Sequence, residues 1–293
     1  MAKFAAPARQ AARVMQRLQG RVFPSVGTVR NYEQALTRVA EYARDQRLGG
    51  LRALTPAQAV QYLEQRGPTV KQKTLDMERQ AIQAMMHHLT GQLAPGERLP
   101  VIKAAPAPPL TGRTYTPIQV QLIAQTQTPR HALATHIAYH AGLRAHELLT
   151  LQPFAERPPD LRPALSSKWT GREGVPYTVI GKGGLIREVR LPPNLAQALE
   201  QRRLPEPQRL TDRGIHYPQH YDLAGGQRWS NAFSAASQRA LGWSRGGHGL
   251  RHRYAQERLD ELQRTGLSQE QALETVSQEM GHFRPDITLV YLR

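Results

Sequence analysis

No regular helix can run through residues 95 to 111. Pro95, Pro100, Pro106, Pro108 and Pro109 all fall there, and each proline removes a backbone donor and fixes φ near −65°. A chain of 293 residues is long for one core and comfortable for two. The stretch is therefore read as an extended, semi-rigid linker between domains at 1–94 and 112–293.

The first domain reads as helices. Thr28 is placed as the cap of a helix to about Leu48, with Tyr32, Leu36, Val39, Ala40 and Ala43 at helical spacing. Thr55-Pro56 gives a cap followed by proline at the first helical position. A third helix runs from about Thr69 to Thr90, where Gly91 stops it, and a weaker pattern covers Phe4 to Leu18. The second domain opens on another Thr-Pro cap, Thr116-Pro117, with helices expected at about 117–127, 130–141 and 145–151. Between Leu165 and Leu191 the pattern turns β-like, and Gly181-Lys182-Gly183-Gly184 supplies a hairpin turn. Helices resume at about 193–203, 229–241, 249–264, 269–280 and 285–291, with Ser268 and Gln271 forming a capping box. Residues 204–228 read as a long irregular segment.

Charge points to the partner. The net charge is +16, carried mostly by arginine. A chain so basic repels itself unless a polyanion neutralises it, and nucleic acid is the commonest such partner. No amphipathic basic helix marks a membrane anchor, no apolar run is long enough to span a bilayer, and no secretory signal opens the chain. A cytoplasmic, nucleoid-associated protein is expected. Cysteine is absent, which excludes disulfides, thiolate catalysis and Cys-ligated zinc. His216 and His220 are four apart, but Pro218 between them argues against a helical metal site. His87-His88 reads as part of a polar helix face.

The second domain's titratable residues fall into five short motifs. These are Gly142-Leu143-Arg144-Ala145-His146-Glu147-Leu148, Gly181-Lys182-Gly183, His248-Gly249-Leu250-Arg251-His252, Gly281-His282, and Tyr291 nine residues further on. Taken singly, each has a plain reading. Arg144 would be a helix-end ion pair, Lys182 a solvated turn residue, His248 and His282 capping or core histidines, and Tyr291 a packing residue. Together, and in this order, they resemble the tyrosine recombinases, the family of the Xer, Cre and phage integrase enzymes. The resemblance covers about Thr111 to the end. The helical N-terminal domain and linker match the family's core-binding region in layout only.

The resemblance implies a mainly α, two-domain C-shaped clamp. A helical core-binding domain would pair with a mostly helical catalytic domain holding a small antiparallel sheet. It also implies DNA strand exchange through a 3′-phosphotyrosine made by Tyr291, with no metal, ATP or other cofactor. Planar guanidiniums suit the non-bridging oxygens of a phosphodiester transition state, and Arg144 and Arg251 fit that part. Lys182 would protonate the leaving oxygen, with Lys168 next in line. His248 would act as general base or acid, and His282 would bond the scissile phosphate. Glu147 is read either as a support for the basic groups or as a direct participant, and His252 is given no chemistry. The implied partners are double-stranded DNA, three further copies in a homotetramer on two duplexes, and accessory DNA-bending proteins.

The resemblance has one departure. Xer and Cre enzymes continue past the nucleophile into a helix that docks on a neighbouring subunit, whereas two residues follow Tyr291 here; either the sequence stops short of that helix, or the subunits exchange contacts another way. A non-cleaving DNA-binding factor and a type IB topoisomerase are the alternative readings.

Overall fold

The computed structural model describes residues 4–106, 112–282 and 284–292. It falls into two compact units, Met1–Pro109 and Leu110–Arg293.

In the first unit, α1 (Pro7–Leu18), α2 (Val26–Asp45), α3 (Pro56–Arg66) and α4 (Gln72–Met85) surround one apolar core. Ala11, Val14, Met15 and Leu18 of α1 meet Leu36, Val39, Ala40 and Ala43 of α2 in that core. Both helices thus bury one stripe at 3.6-residue spacing. Thr55 caps α3 through a reciprocal box with Gln58. Thr28 is not a cap: α2 begins at Val26, so Thr28 lies in its first turn. The helix α4 ends in a π turn, Met86–Thr90, and Gly91 leaves it with φ 67°. Residues 95–106 are non-helical but do not run free. Leu99 is buried in the first unit's core, Ala104 N–H donates to Gln72 Oε1 at 2.8 Å, and Ala105 N–H donates to Gly67 O at 3.0 Å.

The second unit begins with α5 (Pro117–Gln125) and α6 (Pro129–Ala141). The helix expected at 145–151 is instead a turn with one 3₁₀ segment, Glu147–Leu149. β1 (Gln152–Pro153), β2 (Val175–Ile180) and β3 (Ile186–Leu191) form an antiparallel sheet in that order. α7 (Pro193–Glu200) follows. Residues 203–221 are not irregular: β4 (Arg203–Asp212) and β5 (Ile215–Tyr221) pair as a second antiparallel ladder. Pro205, Pro207 and Pro218 hid this hairpin, because proline usually argues against a strand. The register shift between Arg203 and Gln208 spans two of those prolines, where a bulged ladder tolerates missing donors. α8 (Gly226–Leu241), α9 (His248–Arg264), α10 (Gln269–Glu279) and α11 (Pro285–Thr288) complete the unit, followed by a 3₁₀ turn at Leu289–Leu292. Boxes at Thr116/Gln119 and Ser268/Gln271 cap α5 and α10. Among the described residues no helix is long and apolar enough to cross a membrane.

Candidate active site

Four short pieces of the second unit converge: the turn after α6, the start of α9, the end of α10 and the 3₁₀ turn that carries Tyr291. Gly142 ends α6 with φ 59°, and a Cβ there would stand 2.6 Å from the Tyr254 ring. Only glycine satisfies both the left-handed backbone and that contact. Its carbonyl accepts from Arg251 Nη1, which ties the turn to α9 and leaves Arg144 two residues on. At the end of α10, Gly281 has φ 71°, and a Cβ would meet Arg187 Cδ at 2.8 Å.

Glu147 is the hub. It is fully buried. Its Oε2 accepts from Arg144 N–H and Arg187 Nη2, and its Oε1 from Arg144 Nη1, each at 2.8 Å. Arg251 Nη1 lies 3.9 Å away. Burial alone would raise the carboxyl's pKa, but Arg187, Arg251 and Arg144 outweigh it and hold the group well below the usual carboxylate range. Arg251 is fully buried and also donates to Met280 O. Burial and then Arg144 pull its pKa down to about 10, which leaves it a cation at neutral pH. Among the described residues, the Nε atoms of Arg251 and Arg187 have no partner.

His282 is where the two guanidiniums meet. Its Nε2 lies 2.9 Å from Arg144 Nη2 and 3.3 Å from Arg251 Nη2. Arginine can only donate, so Nε2 is the acceptor and the proton sits on Nδ1, which donates to Thr288 Oγ1 at 3.2 Å. Burial first, then Arg251, Arg144 and Arg187, lower its pKa to about 3. The ring stacks on Tyr291, with centroids 5.3 Å apart. Tyr291 is 7% exposed, and the Arg251 guanidinium lies over its ring at 5.6 Å. His252 Nδ1 donates to Tyr291 O at 3.2 Å, and Gln256 Nε2 donates to the same oxygen at 3.3 Å. Two residues of α9 thereby fix the main chain that carries the tyrosine.

His248 borders the cluster, its ring 5.3 Å from that of Tyr291. The residue is exposed, yet lost hydration at the cluster face and then Arg251 push its pKa below the ordinary imidazole value. Arg144, Glu147, His248, Arg251, His282 and Tyr291 thus share one site. Lys182 stands apart on the exposed hairpin tip. Among the described residues it makes no hydrogen bond or ion pair with the cluster, although a Cβ on the neighbouring Gly181 would stand 3.5 Å from Glu147 Oε1. Lys168 lies 5.5 Å from the Trp169 ring centroid, and burial lowers its pKa.

Sequence reasoning missed Arg187. In β3 the burial pattern alternates, and Arg187 shares the inward face with Val189 and Leu191. A charged residue at a core position of a period-2 pattern was the available signal. It also missed the pair behind the site. Arg258 Nε and Nη2 each donate to Glu279 at 2.9 Å, both side chains being fully buried, while the Glu279 carbonyl accepts from Arg187 Nη1 at 2.8 Å. The arrangement offers clustered cations around a tyrosine, a site suited to an anionic group. His216 and His220 lie on β5, and among the described residues no group of three or more His, Asp or Glu could hold a metal ion.

No family model matches the sequence, and no curated protein matches it either. Solved structures do. The chain is similar to the XerH site-specific recombinase bound to palindromic difH substrate, at 14% identity and TM-score 0.59, covering 98% of this chain and 91% of that one. It is similar to a Tn1549 transposon integrase in complex with transposon right end DNA, at 14% identity and TM-score 0.57, covering 99% and 95%. It is also similar to lambda integrase from a tetramer bound to a Holliday junction, at 15% identity and TM-score 0.58, covering 97% and 76%. The chain has the fold of the tyrosine recombinases.

Proposed function

We propose that this protein is a site-specific DNA recombinase that cleaves and rejoins DNA through a covalent 3′-phosphotyrosyl intermediate on Tyr291. The observation that carries this reading is the convergence of Arg144 and Arg251 on His282 Nε2, beside the Tyr291 ring. An acceptor lone pair already occupies the meeting point of two guanidiniums, which is where a non-bridging phosphate oxygen would be bound. When the scissile phosphate arrives, its oxygens take over those donors. Its charge also offsets the part of the His282 pKa lowering that comes from Arg251, Arg144 and Arg187 on top of burial, which favours an imidazole that takes up a proton and donates to the phosphate.

Tyr291 Oη then attacks phosphorus while the P–O5′ bond breaks. The phenolic proton passes to His248, whose lowered pKa keeps it neutral and able to accept at pH 7. Lys182, carried in on its hairpin, delivers a proton to the departing 5′-oxygen. The phosphodiester energy is kept in the phosphotyrosine, so rejoining by a 5′-hydroxyl needs neither ATP nor a metal ion. The active assembly is four protomers on two duplexes, consistent with the tetramer on a Holliday junction of the lambda integrase relative.

The test is a nicked suicide duplex, built from DNA the protein cleaves in cells and incubated in excess EDTA. Covalent trapping followed by joining between two defined sites is expected. No trapping would leave only a DNA-binding protein, trapping with relaxation but no joining between sites would indicate a type IB topoisomerase, and trapping that needs magnesium would overturn the metal-free mechanism.

A further inference from the structure

Three guanidiniums, those of Arg144, Arg187 and Arg251, face the single carboxylate of Glu147. Arg144 and Arg251 meet at His282 Nε2, where the proposed phosphate binds. Arg187 does not. Its Nη2 donates to Glu147 Oε2 and its Nη1 to Glu279 O, each at 2.8 Å. It is buried, and among the described residues its Nε has no partner. A third cation beside a carboxylate that already pairs with two adds little to stability, because desolvation offsets most of a buried pair's attraction. The unmet donor adds a further cost. The chain nevertheless makes room for the side chain: a Cβ on Gly281 would stand 2.8 Å from Arg187 Cδ.

Arg187 is also the first buried residue after the hairpin tip. Ile180 and Ile186 are the last paired residues of β2 and β3. Beyond them Lys182 sits among Gly181, Gly183 and Gly184, the last two with φ 80° and 86°. Glycines leave the backbone wide freedom, so the base of the hairpin has to place Lys182. Gly181 N–H donates to Leu185 O at 2.6 Å and closes the tip. On the β2 side Ile180 N–H donates to Thr150 Oγ1, and that hydroxyl donates to Glu147 O, both at 2.9 Å. On the β3 side the tie is Arg187. Both strands of the hairpin therefore end on the residue that also holds Arg144.

We infer that Arg187 is a positioning residue for the leaving-group acid: its fork to Glu147 and to the end of α10 sets where the tip holds Lys182 against the phosphate. This rests on the proposed cleavage chemistry, in which the proton passes from Lys182 Nζ to the 5′-oxygen as the P–O5′ bond breaks. Arg187 exchanges no proton. Glu147 then serves both halves of the reaction, the non-bridging oxygens through Arg144 and the leaving oxygen through Arg187.

The experiment measures single-turnover cleavage of the suicide duplex by the full chain, with oxygen or sulfur at the 5′-bridging position of the cleaved bond. It compares the native protein with Lys182→Ala, Arg251→Ala, Arg187→Met and Arg187→Lys. Methionine removes the charge and leaves Glu147 two guanidinium partners, whereas lysine keeps the charge and loses the planar fork. Urea midpoints of both Arg187 variants should stay near the native one; a large drop in both would make Arg187 a structural residue and overturn the inference. On the oxygen substrate Arg187→Met should be slowed about 100-fold, the cost of misplacing a reacting group by about 1 Å. Arg187→Lys should be slowed less. Both should regain most of the loss on the sulfur substrate, as Lys182→Ala does and Arg251→Ala does not. Equal slowing of Arg187→Met on both substrates, with Lys182→Ala rescued, overturns the inference and leaves Lys182 as the acid. So does a native rate in Arg187→Lys beside an unrescued Arg187→Met, because Arg187 would then supply charge and not position. Lys182→Ala without rescue overturns the inference together with the assignment of the acid. A native chain that forms no adduct on either substrate overturns the recombinase reading as well.

Discussion

Glu147→Gln tests the electrostatic design of the site most sharply. The change keeps size and shape and removes one charge. The native carboxylate takes three donors at 2.8 Å from Arg144 and Arg187 and balances Arg251 at 3.9 Å. A glutamine offers one acceptor oxygen and turns its amide donor toward a guanidinium or a backbone N–H. Among the described residues no other carboxylate pairs with Arg144, Arg187 or Arg251, so the change strands buried positive charge. Removing one partner of a buried pair costs about 3–5 kcal/mol, which is a large part of a domain's stability. All three tryptophans, Trp169, Trp229 and Trp243, lie in the second unit, so their fluorescence in a urea titration reports that unit. The expected result is a lower midpoint at unchanged slope.

The pH dependence of that loss has a definite sign. A carboxyl with a lowered folded pKa contributes stability that is fully present above its unfolded value, 4.5. That contribution is lost as pH falls toward the folded value. The gap between native and variant should therefore hold from pH 8 to about 5 and narrow below. A loss under about 1 kcal/mol, the range of a surface pair, would refute the hub.

Three further outcomes follow from the geometry. Arg258→Leu or Glu279→Leu alone should each cost about 3–5 kcal/mol in urea, and the double variant should lose clearly less than the sum, because no buried charge is left unpaired even though Trp169 backbone N–H and Tyr254 OH lose their acceptor; additive losses would contradict that. His282, with a folded pKa of about 3 against 6.5 unfolded, binds its proton only in the unfolded chain as pH drops from 6.5, so stability falls with acidification. The contribution between pH 7 and pH 5 is about 2 kcal/mol, and His282→Asn should flatten the profile there; an unchanged slope refutes the assignment. Lys182→Ala should slow cleavage of ordinary DNA but recover most of the rate on a 5′-bridging phosphorothioate, whose thiolate leaves without a proton, while Arg251→Ala should not recover. Equal impairment of Lys182→Ala on both substrates would turn attention to Lys168.

Much of the helical framework was legible because local chemistry decided it. Thr55 and Thr116 formed the expected caps and Ser268 the expected capping box, and at the two threonines a glutamine three residues on completed a box as well. The glycine hairpin at 181–184 was legible for the same reason, since left-handed φ at Gly183 and Gly184 needs no distant partner. Where tertiary contacts decided, local reading failed. The β4–β5 ladder forms despite its prolines, and the expected helix at 145–151 gives way to a 3₁₀ turn whose Glu147 carboxylate is held by Arg144 and by Arg187 from β3. The six clustered residues were found as motifs, but their distances were not in the sequence. Nor was Arg187, which reaches Glu147 across 40 positions, or the Arg258–Glu279 pair behind it.

The proposed reaction requires Tyr291 to become covalently joined to DNA. Digestion of a trapped protein–DNA adduct and mass spectrometry of the peptides would locate the bond directly. A 3′-phosphonucleotide is expected on the peptide containing Tyr291, with no adduct from Tyr291→Phe, which should still bind the same DNA. A nucleotide on any other residue, or an adduct that persists in Tyr291→Phe, would contradict it.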